Sequence, residues 1–346
     1  MNNKNINKDI NNNFEELFQK AKEFNEVKPW QWLGGTDVFG IKLHDMDEIV
    51  FCSVMGMGEE LYGMAIYKGI RGIESYFKML DRDYDLDEEA IHIQQAITID
   101  FVDRNEVTSQ DYELIKDSGI KFRGKKQWPI LREYEPGFIP WFAEEENLIL
   151  MGRILDKAKD YVLYLKDNMD KAALMQEGKC HVREFYEDNS FKEKVVDYIK
   201  LNEEYDSLIE IPIVYDDLSI RRIKKQCKKT NVVLEIDAFY DLMPVEEEDQ
   251  VPYFHGILMI VDVDEEYIIG NHITHPYNMA EEFQRYLLEF FNEKNELPRK
   301  VLISNFNLLT WVEDMFDKLG VQVEFVDHLS LIPEIKKEVL DEMFEE

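Results

Sequence analysis

The sequence predicts two domains of different class: an α+β N-terminal domain of antiparallel strands with helices, and an α/β C-terminal domain. Three observations carry this. The chain has 346 residues, and at about 150 residues per domain two are expected. It is 45% apolar and 12% aromatic, enough to fill real cores. Midway, the apolar pattern changes from short strands in hairpin succession to strands alternating with helices. The expected organisation is a disordered leader (1–13), an α+β domain (14–168), a connector with a basic helix (169–230) and an acidic α/β domain (231–346).

The Asn-dominated stretch 1–13 has no apolar h-region, so it reads as a leader rather than a signal peptide. Phe14, Leu17, Phe18 and Ala21 recur at helical spacing, and Pro29 ends that helix. Three strand-like runs follow, at 38–43, 48–54 and 61–67, separated by Asp45 and Asp47 and by Gly56 and Gly58. A helix is expected at 72–80, a strand at 91–101, a helix at 111–116 and an extended run at 128–134. After Pro140, Leu148, Met151, Leu155, Ala158 and Val162 form the buried stripe of a long helix. Residues 180–214 are less regular and read as a connector with a helix at 191–201; Asp217 is the expected cap of a helix running to 229. The remainder reads as strands at 232–240, 255–263 and 267–273, a helix at 279–291, a strand at 301–304, a helix at 308–319, a strand at 321–326 and a closing helix at 332–344.

Charge excludes several functions. Against 40 Lys and Arg stand 72 Asp and Glu, a net of −32. Residues 231–346 hold 7 basic and 27 acidic side chains, or −20, which leaves −12 for the first 230 residues. No Lys or Arg occurs between Thr230 and Gln284. Such a surface repels phosphate backbones and anionic lipid, so nucleic acid and membranes are unfavourable partners. No run approaches the ~18 apolar residues of a membrane span. Cys52, Cys180 and Cys227 form no CxxC pair, which fits a reducing cytoplasm.

Two resemblances follow from particular residues. Glu235-Ile236-Asp237-Ala238-Phe239-Tyr240, then Gly256 to Asp262 leading into Val263-Asp264, then Val301-Leu302-Ile303-Ser304-Asn305, resemble three strands of the ribonuclease-H-like fold of retroviral integrases and transposases. The resemblance covers 231–345 and implies a metal site on Asp237. Working members hold two divalent metals about 4 Å apart with two or three carboxylates. Here the second position is Asn305, whose neutral amide oxygen offsets no cation charge. Glu334, Glu338 and Asp341 lie where a third carboxylate belongs, with none singled out. The N-terminal part, over 14–165, resembles a bacterial family known as a domain of unknown function. Its shared features are Pro29-Trp30-Gln31-Trp32, Cys52-Ser53-Val54-Met55-Gly56, Tyr62-Gly63, Tyr67-Lys68-Gly69, Trp128-Pro129, Pro136-Gly137 and Pro140-Trp141.

Other motifs fall to plainer readings. Gly56-Met57-Gly58 lacks the third glycine of a dinucleotide loop, Leu61 standing there, and reads as a hairpin turn. Asp81, Asp83, Asp85 and Asp87 alternate like a calcium loop, but Leu86 and His92 occupy its glycine and bidentate glutamate positions. His272 and His275 sit three apart on an expected strand end, pointing to opposite faces. Two basic clusters stand out: Lys121, Arg123, Lys125, Lys126 and Arg132, and Arg221, Arg222, Lys224, Lys225, Lys228 and Lys229. The second lines a helix whose apolar side is Ile220, Ile223 and Cys227, and reads as a helix that docks on an acidic surface of this chain or of a partner. Trp30, Trp32, Trp128 and Trp141 are expected either as N-terminal core or as a partner-facing group. No catalytic, cofactor or metal residue is assigned. The expected function is a non-catalytic binding or scaffold protein with an unknown protein partner. The alternative is a divergent divalent-metal nuclease or phosphoryl-transfer enzyme, with Asp237, Asp262 or Asp264, and Glu338 converging.

Overall fold

Period-two alternation builds the first sheet. Phe39 and Ile41, Cys52 and Val54, and Ile97, Ile99 and Phe101 all face one core; Val38, Phe51, Ala65 and Tyr67 face another. In the computed structural model, residues 3–58, 61–80, 92–201, 211–247 and 250–344 are described, with backbone alone for 3–13 and 339–344. The chain is a mixed α/β protein that divides into two compact units, one of Met1–Pro136 with Pro140–Leu208, the other of Gly137–Ile139 with Ile209–Glu346. No helix among the described residues is long and apolar enough to cross a membrane.

The first unit contains α1 (Asn3–Val27), β1 (Val38–Lys42), β2 (Val50–Met55), β3 (Gly63–Lys68), α2 (Gly69–Leu80), β4 (Ala96–Val102), α3 (Ser109–Asp117), β5 (Trp128–Tyr134), α4 (Glu145–Lys166), β6 (Lys179–Phe185) and β7 (Phe191–Asp197). Its seven strands run in the order β5-β4-β3-β2-β1-β6-β7, antiparallel except for the β1–β6 pair. Helices α1 and α4 cover one face through Leu17, Phe18, Phe24, Met151, Leu155 and Val162. Helix α2 covers the other through Ile70, Ile73 and Tyr76.

Two expectations are corrected in this unit. Residues 1–13 were expected as a leader, yet α1 begins at Asn3. Once the packed turns from Phe14 onward nucleate a helix, adding residues costs little even for Asn. The connector is also corrected. Residues 179–197 are two paired strands, so the helix expected at 191–201 is instead β7 followed by a short helical turn. Phe191-Lys-Glu-Lys-Val-Val-Asp is an edge strand whose charged side chains face solvent, which hides its alternation from an apolar count.

The second unit contains α5 (Asp217–Gln226), β8 (Val233–Val245), β9 (Tyr253–Asp262), β10 (Tyr267–Thr274), α6 (Met279–Lys294), β11 (Lys300–Ile303), α7 (Phe306–Leu319), β12 (Gln322–Phe325) and α8 (Ile332–Phe344). Strand order is β10-β9-β8-β11-β12, with the first three antiparallel and β11 and β12 parallel to β8. Helices α5, α6 and α7 share one core with Leu234, Ile236, Ala238, Leu258 and Ile260. On the other face Ile332 packs with Met259 and Val261, and Ile335 lies against them. The basic helix expected in the connector therefore belongs to this unit: Ile220, Ile223 and Cys227 are buried in its core. Its cap is Asp216 rather than Asp217, since the Asp216 carboxylate accepts the Ser219 N–H at 2.7 Å and the Ser219 hydroxyl accepts the Asp216 N–H.

One carboxyl in the first sheet is held against its nature. Asp100, 6% exposed, accepts the Thr98 hydroxyl at 3.1 Å, while its Oδ1 has no hydrogen-bond partner among the described residues. That oxygen lies over Gly63, where a Cβ would come within 2.8 Å of it, so the position requires glycine. Burial pushes the carboxyl up to about 6. A pKa above the unfolded value means that stability from this group is complete below about pH 4 and is lost as pH rises through 6. Asp100→Asn is thus expected to raise stability by about 2 kcal/mol at pH 8 and to add little at pH 4. Urea denaturation at the two pH values checks this; an equal gain at both contradicts it.

Candidate functional site

Three cross-strand rows define the second unit's sheet face toward α8: Glu235–Val261–Ile268, Asp237–Met259–Asn271 and Phe239–Ile257–Ile273. The first row is committed to structure. Glu235 is buried, and its carboxylate accepts backbone N–H groups of Ser330 (2.8 Å), Leu331 (2.9 Å) and Ile332 (3.0 Å), where the chain enters α8. These are donors that a helix start leaves unsatisfied. Strand β8 thereby fixes α8 over Val261 and Met259.

Asp237 is half-buried in the second row, and its Oδ1 accepts the Ala238 N–H at 2.9 Å. Its neighbour across the ladder is Met259, a thioether where a two-metal site needs oxygen ligands. Asn305 is an N-cap: its Oδ1 accepts the Leu308 N–H at 3.1 Å, and its amide donates to the Ala238 carbonyl at 2.7 Å. Asp262 pairs with Leu234, whose side chain enters the opposite core, so it leaves the sheet on the other side from Asp237. Its Oδ1 is taken by the N–H groups of Asp264 and Glu265 in the β9–β10 turn. On α8, Glu334 and Glu338 are exposed, and Lys336 places its ammonium 4.2 Å from the centre of the Phe239 ring. The side chain of Asp341 lies outside the described residues. Among those residues no three His, Cys, Asp or Glu side chains converge as a metal site. The groups present do not fit the two metals that the sequence resemblance implies.

The remaining sequence candidates separate. His272 stacks on Tyr286 at 4.8 Å, with its Nε2 3.6 Å from Glu282, past hydrogen-bond reach. His275 accepts the Tyr277 N–H at 3.3 Å and lies against Tyr253, burial holding its imidazole below the usual range. Gly56 closes the β2 end of the β2–β3 hairpin at φ +128°, pressed against Tyr62 and Trp30. The Asp81–Asp87 alternation falls outside the described residues. Trp30, Trp32 and Trp128 pack on the N-terminal core, with the Trp32 indole donating to the Val162 carbonyl at 3.0 Å; Trp141 is exposed. In the first basic cluster Arg132 forks onto buried Asp111 at 2.8 Å, and Lys126 pairs with Glu106 at 3.4 Å. In the second, Lys224 and Lys229 donate to the Lys318 and Gly320 carbonyls at 2.8 and 2.9 Å, at the negative end of α7.

Sequence reasoning missed a polar cluster on β6, β7 and α4. Buried Tyr161 meets His181 Nδ1 at 2.5 Å, Arg183 forks onto Glu193 Oε1 at 3.0 and 3.2 Å, and Lys171 reaches Glu193 at 2.9 Å. Arg183 lies over the rings of Tyr161, Tyr164 and Phe191. Despite its partial burial, Glu193 is held down to about 2 by Lys171 and Arg183. Burial lowers the His181 imidazole. Tyr161 and His181 are buried, and the cluster meets solvent at its Lys171–Glu193 end. The alternation His181, Arg183 with Glu193 opposite was the available signal, concealed by the connector reading.

No curated protein sequence matches this chain. Two family models do: residues 14–183 match a domain of unknown function (DUF7309), and residues 219–340 match another (DUF6930). Among solved structures, a chain of a pre-cleavage Mos1 transpososome is similar at 12% identity and a TM-score of 0.19, over 40% of this chain and 53% of that one. A chain of the Mos1 Strand Transfer Complex is similar at 11% identity and a TM-score of 0.21, over 56% and 69%. This chain thus spans about half the length of the first. Neither likeness is close enough to carry an argument about fold or chemistry.

Removing the α8 anchor tests the geometry. Glu235→Ala is expected to cost about 2–3 kcal/mol, the loss of a carboxylate satisfying three buried donors. Hydrogen exchange should rise first in α8. Unchanged protection at Ser330–Ile332 would contradict the assignment.

Proposed function

We propose that this chain is a non-catalytic binding protein whose C-terminal domain has a ribonuclease-H-like sheet without the metal chemistry of that fold. The order β10-β9-β8-β11-β12, three antiparallel strands followed by two parallel ones, supports the fold reading. The observation that carries the functional reading is the row Asp237–Met259–Asn271. An acidic side chain stands at the first-strand position with a thioether and an amide beside it. Asn305, Asp262 and Lys336 agree with it, each committed to a cap, a turn or a ring contact. Beyond the part that α8 covers, Ile268 and Ile273 of the same face are exposed, an apolar pair open to a protein partner.

The charge supports the same reading, because β8, β9 and β10, within the Lys- and Arg-free stretch 231–284, carry nothing to neutralise phosphates. The three cysteines are buried and unpaired, consistent with a reducing, cytoplasmic setting. We take the N-terminal domain to extend through β7, since β6 and β7 complete its sheet.

The expected outcome with Mg²⁺ or Mn²⁺ is no cleavage of single- or double-stranded DNA or RNA above background, and no change in Asp237→Ala. Metal-dependent cleavage that disappears in Asp237→Ala would return the chain to the enzymes.

A further inference from the structure

Strand β10 is an edge of the second unit's sheet, and its eight residues, Tyr267-Ile-Ile-Gly-Asn-His-Ile-Thr274, carry no Lys, Arg, Asp, Glu or Pro. Edge strands are normally blunted by Lys, by Pro or by charged side chains. Here there is none of these, and Tyr267 (55%), Ile268 (39%) and Ile273 (55%) are exposed. The bulge opposite Ile260 and Val261 is the single irregularity in its pairing with β9. Past Thr274 the same side of β9 accepts an extended segment of the chain itself. Phe138 bridges Tyr253, Ile139 donates to the Pro252 carbonyl at 3.0 Å, and Phe254 donates to Gly137 at 2.8 Å.

Charge selects the occupant. The β9–β10 turn that starts the strand presents Asp264, Glu265 and Glu266, all exposed, and no Lys or Arg lies between residues 231 and 284. A second copy would bring its own net-acidic unit to the same edge, −17 over residues 209–346 even with the basic side chains of α5 included, and nucleic acid would bring phosphates. Both are repelled. A cationic polypeptide is attracted, and an edge strand supplies the main-chain groups to hold it.

We propose that β10 is the docking strand for an extended, cationic segment of another protein, which pairs with its edge. Apolar side chains of that segment rest on Ile268 and Ile273, and its Lys or Arg side chains meet the Asp264–Glu266 turn. This rests on the non-catalytic reading and names the partner's chemistry.

The test uses the full chain and a fluorescein-labelled peptide of about ten residues, with alternating Val and Thr at its centre and Lys and Arg at both ends. Fluorescence anisotropy is expected to show saturable binding, weakened about tenfold at high salt. Ile273→Lys and the Glu265→Gln, Glu266→Gln pair should each weaken it by a similar factor. Ile273 is exposed, so its variant is expected to melt like the wild type; Ile268→Lys supplies an independent second variant. Absence of binding, or binding indifferent to both edge variants, overturns the proposal. So does a concentration-dependent dimer that Ile273→Lys abolishes, which gives the edge to a second copy. None of these results touches the non-catalytic reading, which falls only on metal-dependent cleavage.

Discussion

The organisation of the C-terminal unit depends on one constraint: a strand has two faces, and β8 presents a different chemistry on each. Leu234, Ile236 and Ala238 enter the core beneath α5, α6 and α7. Glu235, Asp237 and Phe239 enter the side that α8 shares. Burying Glu235 is tolerable only because three backbone N–H groups meet its carboxylate. That same contact determines where α8 begins. It places Lys336 rather than a carboxylate over Phe239, and so decides what surrounds Asp237. Moving the register by one residue would exchange the two faces and bury Asp237 in an apolar core.

Much of the architecture was legible because alternation and amphipathic spacing are local signals. The stripe Leu148–Val162 marked α4, and the runs around Asp237, Met259 and Ile303 marked the central strands of the second sheet. What failed was local structure that long-range contacts dictate. Lys179–Phe185 is a strand because it lies parallel to β1, about 140 residues earlier in the chain, and no nearby pattern encodes that pairing. Phe191–Asp197 looked irregular because an edge strand need not hide charge. Asp216 and Asp217 are equivalent to a sequence reader; only the reciprocal bonds with Ser219 distinguish the cap.

The candidate site shows the same division. That an amide, Asn305, stands where the ribonuclease-H-like resemblance expects a carboxylate is visible in the sequence, but its employment as the cap of α7 is not. Asp262 and Asp264 looked available for a metal until the register put Asp262 opposite Leu234 and the turn claimed its oxygen. Glu235, only two residues from Asp237, was passed over, although burial makes it the more consequential carboxylate. The basic helix has a clear outcome in part. Its apolar side and two of its lysines are spent within its own unit, on the core and on the carbonyls that end α7.

The proposed function requires that Asp237 belong to no metal centre. Calorimetric titration of the full chain with Mn²⁺, compared between wild type and Asp237→Ala, tests it most directly. The weak heats of a carboxylate-rich surface are expected in both, with superimposable isotherms. A saturable site present in the wild type and lost in Asp237→Ala would contradict the account.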